Sequence, residues 1–177
     1  MTFTQSIKTC LRKYFTFSGR ASRPEYWWFI LFLFLGSVVA NILDGIVFGY
    51  GQATLRPGGG SVSGGDGPLA SLFSLGTIIP SLSAGWRRMH DTGRSGLFLM
   101  YPLIVMIGIT MFFGLMGGLA PLLSGDLGAV FAGTTGLIAV LAVLVLFVSP
   151  LIVLWWLTRP SQPGSNKYGP NPNEVPQ

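Results

Sequence analysis

Eleven consecutive residues, Trp86-Arg87-Arg88-Met89-His90-Asp91-Thr92-Gly93-Arg94-Ser95-Gly96, hold three of the chain's eleven basic residues, its only histidine and one of its six acids. A second cluster, Gly19-Arg20-Ala21-Ser22-Arg23-Pro24-Glu25, repeats the mixture of arginine, serine and acid. Three chemistries are open to these residue types. A hydrolase would use Ser95 or Ser22 as nucleophile, His90 as base and Asp91 to orient the ring. Adjacent positions on a helix or turn point in different directions, so Asp91 is poorly placed to hold the neighbouring imidazole. No Gly-x-Ser-x-Gly elbow is present either. A zinc site needs three or four ligands, which one histidine, one cysteine and a few separated acids do not supply without a partner chain. No catalytic residue, metal or cofactor is therefore expected.

The third chemistry is anion capture. Arg20, Arg23, Arg87, Arg88 and Arg94 stand against Glu25 and Asp91, a surplus of three positive charges. Such a surplus suits bidentate binding of lipid phosphate or another phosphate-bearing ligand. Ser22 and Ser95, as N-caps, would add helix N-termini that favour the same anions. The plainer account is a structural lock in which Ser22, Glu25, His90, Asp91 and Ser95 hold the two motifs together and the arginines set topology.

The elements that must position these motifs are apolar. Charged residues make up 10% of the chain and hydrophobic ones 50%, against about 25% charged in soluble domains. Stretches of roughly 20 apolar residues, enough to cross a bilayer, recur four times. The class is an all-α integral membrane protein. The formal charge of +5 sits at the ends of apolar runs, which argues for membrane orientation and against nucleic acid. The single Cys10 excludes an internal disulfide. The first apolar run has no A-x-A site after it and is not read as a cleavable signal.

In chain order, Phe3, Ile7, Cys10, Leu11 and Tyr14 fall at helical spacing with Lys8, Arg12 and Lys13 off that stripe, predicting a short basic amphipathic helix; a disordered basic tail is the alternative. Ser22-x-x-Glu25 has the form of a capping box before a first span at about 26–48, with Tyr26-Trp27-Trp28 as its aromatic belt. Asn41 and Asp44 are expected at its solvated outer end. Residues 51–68 read as a Gly/Ser-rich flexible loop. A second span at about 69–86, a third at 97–120 and a fourth at 135–157 follow. Gly114 and Gly118 form a small-xxx-small pair. Pro80, Pro102 and Pro150 should kink their helices and could splay the bundle around a wet vestibule. The proline-rich tail from Arg159 should be irregular and exposed.

Five basic residues precede the first span, three lie between the second and third, and two follow the fourth. Only Arg56 lies on the other side. This predicts both termini and the central motif in the cytoplasm. The organisation is then a cytoplasmic basic segment with the first motif (1–25), a four-helix membrane domain of two helical hairpins (26–158) and a cytoplasmic tail (159–177). Glu25 should pair with Arg88 in preference to Arg87, which is in reach of Asp91 one turn on.

Phe17-Ser18-Gly19-Arg20-Ala21-Ser22-Arg23-Pro24-Glu25-Tyr26-Trp27-Trp28 and Arg87-Arg88-Met89-His90-Asp91-Thr92-Gly93-Arg94-Ser95-Gly96 resemble the two signatures of the YhaH/YhaI-like family of small bacterial inner-membrane proteins. The segment Gly164-Ser165-Asn166-Lys167-Tyr168-Gly169-Pro170-Asn171-Pro172 is similar to that family's ending. The resemblance runs over roughly residues 12–172, with 51–68 and 115–134 expanded. It implies a place in the inner membrane and brings no catalytic residues. The expected partners are membrane lipids with anionic headgroups, and four short spans leave room for a homo-oligomer. A small-solute transporter or channel component is the alternative, although transporters carry ionisable groups at mid-membrane depth and these spans carry almost none.

Overall fold

The computed structural model describes residues 1–50, 53–56, 59–62, 67–115, 123–130 and 133–174. Helix α1 (Phe3–Arg12) starts at Thr2, where Thr2 and Gln5 cap each other reciprocally. Helix α2 (Arg23–Phe48) starts at Ser22, whose hydroxyl accepts from the Glu25 amide at 3.4 Å, with Pro24 in the first turn where its missing N–H is harmless. The expected capping box is only half formed, because the Glu25 carboxylate points away to another helix. Gly49, in the left-handed conformation at φ 72°, ends α2.

The loop that reads as flexible carries a short antiparallel ribbon, β1 (Ala53–Arg56) with β2 (Gly59–Val62), the two strands among the described residues. Helix α3 (Pro68–Asp91) extends past the expected boundary and takes in Arg87 to Asp91 as its last turn. Nothing in Trp86-Arg87-Arg88-Met89-His90-Asp91 breaks a helix; the break comes at Gly93, with φ 78°. A 3-10 turn (Gly96–Met100) leads into α4 (Tyr101–Leu115), then come α5 (Leu127–Val130) and α6 (Gly133–Thr158). Gly118 and the end of the expected third span lie outside the described residues. Four helical stretches are long and apolar enough to cross a membrane: Arg23–Phe48, Pro68–Asp91, Gly96–Leu115 and Gly136–Thr158.

Helix α2 packs along α3, α4 along α6, and α1 against both α2 and α3. Contacts at both ends of the first pair fix its sense. Glu25 in the first turn of α2 meets Arg87 in the last turn of α3, and Asp44 near the end of α2 meets the start of α3. Asp44 is not solvated as expected. It is fully buried, and its two carboxylate oxygens accept from the amides of Leu69 at 3.0 Å and Ala70 at 2.8 Å. Those are orphan N–H groups at a helix start, where the macrodipole also favours an anion. Gly67 makes the approach feasible: a Cβ there would lie 2.3 Å from the Asp44 carboxyl carbon.

Two carbonyls freed by the intrahelical prolines find hydroxyl donors. Pro80 frees the Gly76 carbonyl, which accepts from the Tyr14 hydroxyl at 2.8 Å. Pro150 frees the Leu146 carbonyl, which accepts from the buried Ser149 hydroxyl at 3.2 Å. The main buried cluster is Cys10, Tyr26, Phe29, Ala84, Met89, Val153 and Leu157, at the end of the bundle that holds the motifs. Elsewhere the spans expose leucine, valine and phenylalanine, the surface that lipid would cover.

Candidate functional site

Successive residues of an α-helix point about 100° apart, so Arg87 and Arg88 leave α3 in different directions. Arg87 turns towards α1 and α2. Its guanidinium pairs with the Glu25 carboxylate and lies 4.0 Å from the Cys10 sulfur. Arg88 turns towards the end of α6, donating from Nε to the Leu157 carbonyl at 3.0 Å and from its terminal nitrogens to the Arg159 carbonyl and the Asp91 carboxylate. The pairing expected from sequence is therefore exchanged: Glu25 holds Arg87, and Asp91 holds Arg88 three positions back on its own helix.

Asp91 also receives Arg20 from the first motif, Nε to Oδ1 at 2.9 Å, and the Ser161 hydroxyl from the tail at 2.5 Å. Arg20 goes on to donate to the carbonyls of Gln162 at 2.5 Å and Gly164 at 2.8 Å. The Gln162 amide returns a bond to the Asp91 carbonyl at 2.9 Å, and the Ala21 amide one to the Arg87 carbonyl at 3.1 Å. The tail is irregular and in large part exposed, as expected, and these hydrogen bonds also dock it on the motifs. Arg87, Arg88 and Asp91 are fully buried, and Arg20 is 6% exposed.

Three guanidinium groups against two carboxylates leave one buried positive charge. The carbonyls of Leu157, Arg159, Gln162 and Gly164 surround it, the first of them at the negative end of the α6 macrodipole. Among the described residues, the Arg87 Nε is the buried side-chain polar atom left without a hydrogen bond.

His90 is spent on structure. Its ring stacks on Tyr168, centroids 3.7 Å apart and planes 3° from parallel, and its Nδ1 lies 3.1 Å from the Gly19 carbonyl. Asn166 donates to the His90 carbonyl at 3.0 Å. Ser95 caps the 3-10 turn by accepting from the Leu97 amide at 3.4 Å, as Ser22 caps α2. Neither hydroxyl is turned to His90, and Asp91 is committed to arginines. Gly96 packs flat on Trp86, where a Cβ would overlap the indole at 2.1 Å.

The five arginines of the candidate ligand set thus separate. Arg20, Arg87 and Arg88 are enclosed within the chain, with no face left for a ligand. Arg23 is exposed and uses only Nε, on the Arg159 carbonyl at 2.9 Å. Arg94 lies over the Trp156 ring at 5.0 Å, and Arg159, which was not singled out from sequence, lies over Trp155 at 4.9 Å. The two are close enough that Arg159, after burial, helps to push the Arg94 pKa down. Ser161, Gln162, Gly164 and Tyr168 are site residues that the reading of charge and capping patterns passes over. The available signal was the family-like segment from Gly164 to Pro172.

A family model described as a protein of unknown function, DUF805, matches residues 14–123. The chain is 34% identical over 98 residues to the inner membrane protein YhaH of Escherichia coli strain K12, covering 55% of this chain and 72% of that one. It is likewise 34% identical over 101 residues to the inner membrane protein YhaI of the same strain, covering 55% and 70%. No solved structure matches.

Proposed function

Because this chain belongs to the DUF805 family of proteins of unknown function, we propose a function from its geometry: it is a multi-pass protein of the bacterial inner membrane, without enzymatic activity of its own. In this reading the Arg/Glu/His/Asp cluster is a clasp on the cytoplasmic face, locking two helical hairpins and both terminal segments into one unit. The observation that carries it is Asp91, fully buried and shared by Arg20 before the first span, Arg88 at the end of the second and Ser161 after the fourth. An acid so placed joins segments of the chain.

Orientation with both termini inside is supported by the placement of ten of the eleven basic residues on one side. Arg94 and Arg159, stacked on neighbouring tryptophans at that boundary and unpaired with any carboxylate among the described residues, form the surface that holds anionic lipid headgroups.

Two measurements test this. Tyr50→Cys, on the exposed turn after α2, should label from outside intact cells with an impermeant maleimide, and Lys8→Cys should not; the opposite result reverses every loop. In native mass spectra the paired change Arg94→Gln with Arg159→Gln should lower retention of phosphatidylglycerol, and unaltered retention removes the lipid surface.

A further inference from the structure

Two concavities meet at Arg23. One, of about 460 Å³, runs down the first turns of α2 between Arg23, Pro24, Trp27, Trp28 and Leu31. The other, of about 350 Å³, lies on the tail side, where Arg23 and Pro24 face Ser161, Asn173 and Glu174. The first is almost wholly apolar, while the second is mixed, with Pro160 and Pro163 beside the charged Arg23 and Glu174, so a molecule lying across Pro24 would need an apolar end and a charged one.

The charges in the second pocket are unspent. Arg23 donates from Nε to the Arg159 carbonyl, and its two terminal nitrogens carry no hydrogen bond among the described residues. Glu174 accepts from the Asn171 side chain at 2.7 Å and the Gly164 amide at 3.2 Å, both on Oε1, and among the described residues Oε2 accepts no hydrogen bond. The cation and the anion line one pocket without pairing with each other. A simple anion would satisfy Arg23 and be repelled by Glu174. A headgroup with a phosphate at one end and an N–H-bearing ammonium at the other satisfies both.

We propose that Arg23 and Glu174 hold the two ends of a zwitterionic aminophospholipid headgroup, phosphate on Arg23 and primary ammonium on Glu174, with an acyl chain along Trp27, Trp28 and Leu31. This rests on the reading that boundary arginines hold lipid phosphate, and adds the second pole that selects among lipids. Phosphatidylcholine has the same charges but no N–H to donate to the carboxylate; phosphatidylglycerol has no ammonium.

The test uses the full chain in detergent, with phosphatidylethanolamine, phosphatidylcholine, phosphatidylglycerol or inorganic phosphate added and the retained species counted by native mass spectrometry. Phosphatidylethanolamine should be retained several-fold more than phosphatidylcholine. Arg23→Gln should abolish that retention, and Glu174→Gln should bring the two lipids level. Arg94→Gln with Arg159→Gln should leave it unchanged, which separates this site from the anionic surface. Equal retention of the two lipids by the unmodified chain overturns the proposal, as does a preference that survives Glu174→Gln. Displacement by equimolar inorganic phosphate overturns it too, since the pocket would then be one for free anion. Loss of phosphatidylglycerol on changing Arg94 and Arg159, together with equal retention of phosphatidylethanolamine and phosphatidylcholine by the unmodified chain, would leave the anionic surface standing and this site refuted. Both tested groups are exposed, and thermal unfolding of each variant checks that its fold is intact.

Discussion

The phenolic oxygen of Tyr14 lies 2.8 Å from the carbonyl oxygen of Gly76, the acceptor that Pro80 leaves without its helical amide. A free carbonyl within a bilayer costs several kcal/mol, so the segment after α1 is tied to α3 by the helix's own defect. The Ser83 hydroxyl adds a second tie, to the Lys13 carbonyl at 3.1 Å. Tyr14→Phe should destabilise the protein in detergent by about 0.5–1.5 kcal/mol, the net worth of one hydrogen bond. Pro80→Ala restores the amide, and in that background the loss should shrink. Additive thermal shifts in the two backgrounds would show that Tyr14 does not serve the Gly76 carbonyl.

Glu25 and Arg87 form a fully enclosed pair between α2 and α3. Removing one partner of such a pair costs roughly 3–5 kcal/mol, because the other charge stays buried. Glu25→Gln and Arg87→Gln should each lower the unfolding temperature strongly, and together cost much less than their sum. Glu25 with Arg88 should be close to additive. Coupling to Arg88 that matches or exceeds coupling to Arg87 would contradict the geometry.

At the opposite end of α2, Asp44→Ala removes the cap of α3 and should cost about 1–2 kcal/mol, the upper part of the N-cap range. Gly67→Ala should be at least as damaging, since its methyl would displace the Asp44 carboxyl. Chemical denaturation of both variants decides the point; a neutral Gly67→Ala would mean that the two helices do not meet as closely as described.

Cys10 is buried beside Glu25, and burial, then the negative charge of Glu25, pushes its pKa from 9.0 up to about 11. The thiol should resist alkylation at pH 8. A thiol whose folded pKa is raised favours folding while it stays protonated, so stability is fully present below about pH 9 and declines as pH rises towards 11. Thermal melts across that window should fall more steeply for the unmodified chain than for Cys10→Ala. Parallel slopes would place the thiol in water.

The four apolar helices, the N-terminal amphipathic helix and the meeting of the two motifs follow from periodicity and charge placement. The partner assignments do not. Arg87 and Arg88 are neighbours of one chemical type, and which of them meets Glu25 depends on the rotation of α3 about its axis, set by packing on α1 and α6. Asp44 reads as a solvated terminus because its partners are backbone amides, which every residue but proline has. The docking of Gln162 and Gly164 is invisible for the same reason: they contribute carbonyls. Tyr168 is an exception, an aromatic in a polar tail, and its stacking on His90 is the kind of contact that composition hints at without locating.

Arg20 and Arg88 donate four of their eight hydrogen bonds among the described residues to carbonyls between Leu157 and Gly164, at or just beyond the end of the fourth span. Until that segment has been made, the two guanidinium groups lack these carbonyl partners. With the orientation proposed above, they are then free to act as retention signals holding their loops in the cytosol. Once the segment from Leu157 to Gly164 emerges, the same groups are wrapped and withdrawn from the surface. The arginines would thus serve twice in time, first steering insertion and later closing the finished protein.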